Sequence, residues 1–245
     1  MCNQTYLYFN KWRDKMNNMK ITLSIQDLKD AGACANGIEC FKKLFGSRRT
    51  IVWNPLNELL VRKDPKLKNF FQWLLNKQLM PSFSFSYMQL NSADLRYADL
   101  YNADFCSADL RYADLYNANL TDANLMSADF RNADLRDANL YNTDLRNAKL
   151  SAADLRNANL NYANLRYAKL IAADLRSANL IAADLRSANL HNAVLRFVNL
   201  SNADLRNANL SNADLYNVDL SNARYNKYTI FPENLKIPET MFLVK

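Results

Sequence analysis

Histidine occurs once in this chain, at position 191, and cysteine four times, at Cys2, Cys34, Cys40 and Cys106. A general base needs a hydrogen-bonded partner and a pocket. His191 follows Leu190 and stands between Asn189 and Asn192, where a solvated surface histidine is the plain expectation. The cysteines make no CxxC pair and no Cys/His cluster with zinc spacing, so no metal site is expected. Isolated thiols fit a reducing compartment better than a disulfide scaffold. Cys106 falls at an outward position beside Met126, and a reactive thiol there would need a basic neighbour. Glycine is confined to positions 32, 37 and 46, which removes Gly-rich phosphate loops and dinucleotide fingerprints from the rest of the chain. Aspartate is plentiful, but its spacing follows a repeat. It reads as an acceptor for backbone N–H groups at corners rather than as a catalytic pair. No catalytic residue, cofactor or metal is expected, and the chain is read as a non-enzyme.

Arginine carries the remaining chemistry. It recurs at Arg136, Arg156, Arg176 and Arg196, and in a second series at Arg146, Arg166, Arg186 and Arg206. Like charges stacked in rows repel, but most have an acid two residues earlier: Asp134, Asp154 and Asp174, and Asp144, Asp184 and Asp204. Such rows serve either as solvated, salt-bridged faces or as planar donors for an acidic partner surface. These eight arginines are the candidate partner-binding residues. Asn119, Asn139, Asn159, Asn179 and Asn199 are expected to form an amide ladder on another face.

The element that positions these rows has a period of five. From Met88 to Lys227 the chain divides into 28 consecutive five-residue units, whose central residue is Leu in 25 and otherwise Phe105, Phe130 or Tyr225. Ala precedes the centre by two residues in 24 units, and Asp or Asn stands between them in 23. Five matches neither the helical nor the flat-strand period. It fits a chain that turns a corner every unit, with Leu filling an axis and Ala placed where only a methyl group fits. Arginines ten residues apart fall on two opposite faces if each coil holds an even number of units.

The run ADLRYADLYNADFCSADLRYADL, with its A(D/N)LXX units, resembles the pentapeptide-repeat proteins. The resemblance implies a mainly β solenoid: a right-handed quadrilateral parallel β-helix, four units to a coil and so about seven coils. At a strand spacing of about 4.8 Å the rod would be roughly 34 Å long. The closing YTIFPENLKIP resembles a capping segment, in which Pro232 and Pro238 would stop the coil while Phe231, Met241 and Phe242 cover its apolar end. Some members of the family mimic DNA and bind type II topoisomerases, which implies gyrase modulation as an alternative function. DNA mimicry needs an acidic rod, whereas residues 88–227 carry 15 basic and 16 acidic side chains in uninterrupted units.

Residues 1–80 are expected to form a small, basic, mainly helical domain, with 1–18 a possible disordered extension; residues 81–227 form the β-helix and 228–245 the capping segment. Ser24–Asp27 offers a helix N-cap with an acidic third position. The pairs Asn54-Pro55 and Asp64-Pro65 open two further helical patterns, and a short strand is expected near RTIVW, residues 49–53. Residues 1–87 hold 14 basic and 6 acidic side chains, so the basic character of the chain, +7 in all, belongs to this part. Basic surface there can bind nucleic acid or anionic membrane weakly, although solvated helix faces look the same. Tyr97, Tyr101, Tyr112 and Tyr116 interleave with arginine as a stacking surface would. Asp94, Asp99, Asp104, Asp109 and Asp114 share that stretch and repel phosphate, so direct nucleic-acid binding is disfavoured. No apolar run is long enough to span a membrane and no signal-peptide core opens the chain, so a cytoplasmic protein is expected. The function expected is a protein–protein interaction module or scaffold, with IPETMFLVK as a cap or a homodimer contact.

Overall fold

A computed structural model describes strands β1 (Lys20–Thr22) and β2 (Thr50–Val52), residues 85–86, and residues 89–244. The chain divides into two compact units, Met1–Ser82 and Phe83–Lys245. In the first, β1 and β2 pair antiparallel with Ile21 opposite Ile51. The strand expected near residues 49–53 is therefore present as β2, and its partner β1 had no separate sequence signal. The three expected helices lie outside the described residues.

In the second unit, the residue before each centre bridges in parallel to the residue 20 positions on, from Gln89–Asp109 through Asp204–Arg224. Five-residue units repeating at 20 make a four-sided coil, which settles the number that arginine spacing left open. The chain holds each side with a parallel ladder: the N–H of Leu165 donates to the Asp184 carbonyl at 2.8 Å, and that of Asp184 to the Ala163 carbonyl at 3.0 Å. The axis is filled. Leu150, Leu155, Leu160 and Leu165 are fully buried, as are Ala158, Ala163 and Ala168. Thr143 and Val198 are accommodated at the alanine position and buried, but bulk added beyond that in a packed core costs about 1–3 kcal/mol.

The corners explain how five residues turn. In each unit the N–H of the alanine donates back to the preceding centre, as Ala168 does to Leu165 at 3.0 Å. The residue two after the centre has positive φ, from 54° to 61°, in 27 consecutive units from Ser92 to Asn222. That places it third in a type II-like turn, a position that favours Gly or Asn. No glycine serves here. Twelve of these residues are Asn and two Asp, whose short polar side chains tolerate the left-handed region best, but Ala152, Ala172 and Ala182 also occupy it.

The solenoid starts one unit before the repeat count. Phe85 is buried and stacks on Phe105 with ring centroids 4.4 Å apart, and its N–H donates to the Asp104 carbonyl. At the other end, Ile230 pairs with Asn209 after 21 residues rather than 20. Pro232 and Pro238 then open turns closed by Leu235 and Met241, and β4 (Phe242–Leu243) lies parallel on β3 (Arg224–Tyr225). Met241 is buried, and Phe231 meets Tyr225 edge-on at 5.7 Å. Phe242 does not cover the end as expected: it occupies the outward column of Asp204 and Arg224 and is 56% exposed.

Candidate functional site

Most corners begin with the Asp or Asn that precedes the centre. Its Oδ1 accepts the backbone N–H two residues on, as Asp154 does from Arg156 at 3.3 Å and Asn159 from Asn161 at 3.2 Å. This is the corner role expected of the acids. Because the carboxylate is fixed by its own backbone, it is presented to the side chain of that same residue two positions on. Where that residue is arginine, a two-toothed fork forms. Nε of Arg156 donates to Asp154 Oδ1 at 2.8 Å and Nη2 to Oδ2 at 2.6 Å. Arg136, Arg146, Arg176, Arg186 and Arg206 repeat the fork with Asp134, Asp144, Asp174, Asp184 and Asp204.

The coil places the eight arginines on two opposite faces, as the spacing implied. The rows are also tied along the rod: Arg136 lies 3.7 Å from Asp154, Arg156 3.8 Å from Asp174, and Arg186 3.8 Å from Asp204. Sequence pairing alone missed these links between coils. The hydrogen bond from Arg136 holds the Asp134 carboxyl below its ordinary range. At Asp144 and Asp174 burial pushes upward, but hydrogen bonds from Arg146 and Arg176 outweigh it and the net shift is downward.

Two members of the rows depart from the pattern. Val194 stands where Arg196 needs an acid, and Arg196 reaches instead to Asp214 on the next coil. Asn164 stands before Arg166; it accepts the Arg166 backbone N–H at 3.3 Å but offers no carboxylate. Nε of Arg166 is buried without a hydrogen-bond partner, and its guanidinium carbon lies 5.6 Å from the Tyr167 ring centre.

The amide ladder forms in part. Asn119 donates to Asp99 and Asn159 to Asn139, both at 3.0 Å, whereas Asn179 Oδ1 is buried without a partner. The tyrosines do not gather into one stacking surface. Tyr97 and Tyr116 share a corner, ring centroids 5.4 Å apart, while the 20-residue register sends Tyr101 and Tyr112 to other corners. His191 Nδ1 lies 2.8 Å from Ser211 Oγ. The Ser211 hydroxyl gives its proton to Asn209 Oδ1 at 2.7 Å, so the imidazole donates to the serine and does not take its proton. Cys106 is half-buried, its Sγ 3.7 Å from Ser107 Oγ. Among the described residues no three His, Cys, Asp or Glu side chains converge as metal ligands.

A family model described as pentapeptide repeats matches residues 89–126, 123–161, 158–196 and 188–224, with eight copies. Among solved structures, the chain is 34% identical to HetL, a pentapeptide repeat protein involved in heterocyst differentiation regulation in the cyanobacterium Nostoc. That match covers 57% of this chain and 75% of HetL, with a TM-score of 0.26. A pentapeptide repeat protein from the Arabidopsis thaliana thylakoid lumen is 28% identical over 44% of this chain and 72% of its own, with a TM-score of 0.33. A trypsin-treated form of QnrB1, a plasmid-mediated fluoroquinolone resistance protein, is 21% identical over 59% and 88%, with a TM-score of 0.30. No curated protein matches the chain.

Proposed function

This chain belongs to the pentapeptide-repeat family, and from that premise we propose that it is a non-enzymatic protein–protein interaction module whose contact surface is the patterned exterior of the solenoid. The observation that carries this reading is the division of labour within each unit. Leu and Ala are consumed by the axis and, in most units, Asp or Asn by the corner, so the residue after the centre and the next one vary most. A rigid ladder holds those variable side chains at fixed spacing, which suits recognition and does not suit closure over a small substrate. The arginine rows offer the unused guanidinium N–H groups of each fork along two faces.

The alternative, gyrase modulation by DNA mimicry, is the weaker reading. The acids that would stand in for phosphate are matched by arginine in the forks of both rows. The cytoplasm is the proposed compartment, on the thiol content of the sequence; among the described residues no helix is long and apolar enough to cross a membrane. Cross-linking of the full chain in cells, followed by mass spectrometry, tests the main reading. Partner peptides joined to residues 85–244 support it; partners joined only to residues 1–84 would make the solenoid a spacer and sink it.

A second contact is proposed at the C-terminal end, where Ile230, Ile237, Phe242 and Leu243 are all exposed beside the last strand. A second copy of the chain is the occupant proposed, giving a homodimer. Sedimentation should then show a dimer that Phe242→Ser with Leu243→Ser converts to a monomer of unchanged circular dichroism. A wild-type monomer at all concentrations removes this contact.

A further inference from the structure

Among the described residues of the middle coils, two cations without an ion pair meet at one corner of the rod. Along one arginine row, Arg146 and Arg186 are forked to Asp144 and Asp184, but Arg166 between them has Asn164 in the acid position and forms no ion pair. On the adjoining face the outward column reads Asp109, Asp129, Lys149, Lys169, Asn189. It changes sign at the same height on the rod as the missing acid. Lys149 reaches Asp129 only at 3.8 Å; Lys169 is exposed, sits directly above Lys149 and has Asn189 above it. Arg166 and Lys169 are thus neighbours around one corner, three residues apart, each without a carboxylate.

This arrangement is unfavourable for the isolated rod. Lys149 and Lys169 are stacked like charges on neighbouring strands, which destabilises a ladder, and Arg166 keeps a buried Nε with no acceptor. The other arginines of this row, Arg146, Arg186 and Arg206, show the alternative, an Asp two residues before. Exposed Tyr167 stands beside Arg166, whereas His191 belongs to the next corner of the square, over Ile171. Arginine and tyrosine are the types enriched where interfaces hold most of their energy.

We propose that the corner of Arg166 and Lys169, with Lys149 beneath, is the docking point for a cluster of carboxylates on a partner protein. This rests on the reading of the solenoid as an interaction module and names the chemistry of its partner. The patch is short. It ends below at Asp129 and Asp109, which are matched by the forks of Arg131 and Arg111, so a nucleic-acid strand, which carries phosphate continuously along its length, would run past the unmatched cations within two coils. A compact group of Glu or Asp side chains would not. The guanidinium supplies a planar fork for one carboxylate and the lysines supply mobile point charges for others.

The test is carbodiimide coupling of the full chain to a hexaglutamate peptide at low salt, with peptide mapping of the joined lysines. Lys169 and Lys149 are expected to be the main sites on the solenoid. Arg166→Gln should lower the Lys169 yield by about five-fold or more, while Arg96→Gln, at a guanidinium forked to Asp94 and outside the eight candidate arginines, changes it by less than about two-fold. Equal effects of the two variants, or coupling confined to other lysines, overturn the proposal. So does inorganic phosphate or duplex DNA suppressing the coupling more strongly than free peptide, which assigns the corner to phosphate. The cellular cross-links separate this from the broader reading. Partners joined to the solenoid away from 149–169 remove the corner and keep the module, whereas partners joined only outside the solenoid remove both.

Discussion

The middle coils and the last coil are written in nearly the same five-residue code, yet they end in different physical states. Leu165 has a coil below and a coil above, donates to Asp184 and is fully buried. Leu215 occupies the same position in its unit and is only half-buried, and the nearby Val218 is also partly open. Nothing in either residue differs in kind; what differs is the neighbour that follows. A repeat can satisfy itself everywhere except where it stops. The tail ends the coil by breaking register at Ile230, turning at two prolines and laying β4 on β3, and it leaves apolar side chains outside.

The contrast can be broken most forcefully at the axis. Leu165→Ala should lower unfolding free energy by about 2–5 kcal/mol, the range for a buried leucine in a site that cannot collapse. Leu215→Ala should cost less than half as much in the same urea titration; equal losses would mean that the end coil is as well packed as the middle. Acid comes next. A carboxyl held low in the folded chain contributes its stability fully above the unfolded value, about 3.9, and surrenders it as pH falls through the lower folded value. The groups concerned include Asp134, Asp144 and Asp174 in the middle and Asp214 near the end. The urea midpoint should therefore stay level from neutral pH down to about pH 5 and fall below about pH 4. Asp134→Asn should reduce that slope, and an unchanged slope would detach the forks from stability. The smallest effect lies at the corners. Ala152→Asn should raise stability by up to about 1 kcal/mol, since left-handed backbone penalises alanine more than asparagine; a loss would mean that the amide clashes with the adjoining coil.

The period of five, the leucine axis, the alanine contact and the arginine–aspartate pairing within a unit were all legible in the sequence, because each depends on spacing inside one unit. What depends on the coil above or below was not. The links from Arg136 to Asp154 and from Arg156 to Asp174 need the 20-residue register. So does the neighbourhood of Arg166 and Lys169. Phe85 lay inside the expected β-helix range but outside the counted units, because SFSFS has neither the alanine nor the acid of the repeat; its ring stacks on Phe105 instead. The left-handed corners were hidden by the absence of glycine, although the run of Asn two residues after each centre was a usable signal. The helices expected in residues 1–80 fall outside the described residues.

The 20-residue register also sets the step in which such a chain can change length. Duplicating one unit would pass unnoticed at the axis, where every leucine is equivalent, but it would turn all later units by one side of the square. Each arginine row would then continue on a neighbouring face, and the ties from Arg136 to Asp154 and from Arg186 to Asp204 would be cut wherever the duplication fell between them. Only insertions of a whole coil keep both the core and the exterior pattern. The interior therefore counts in fives and the surface in twenties, and a lineage of such chains can grow freely in the first unit of account while its binding faces survive only in the second.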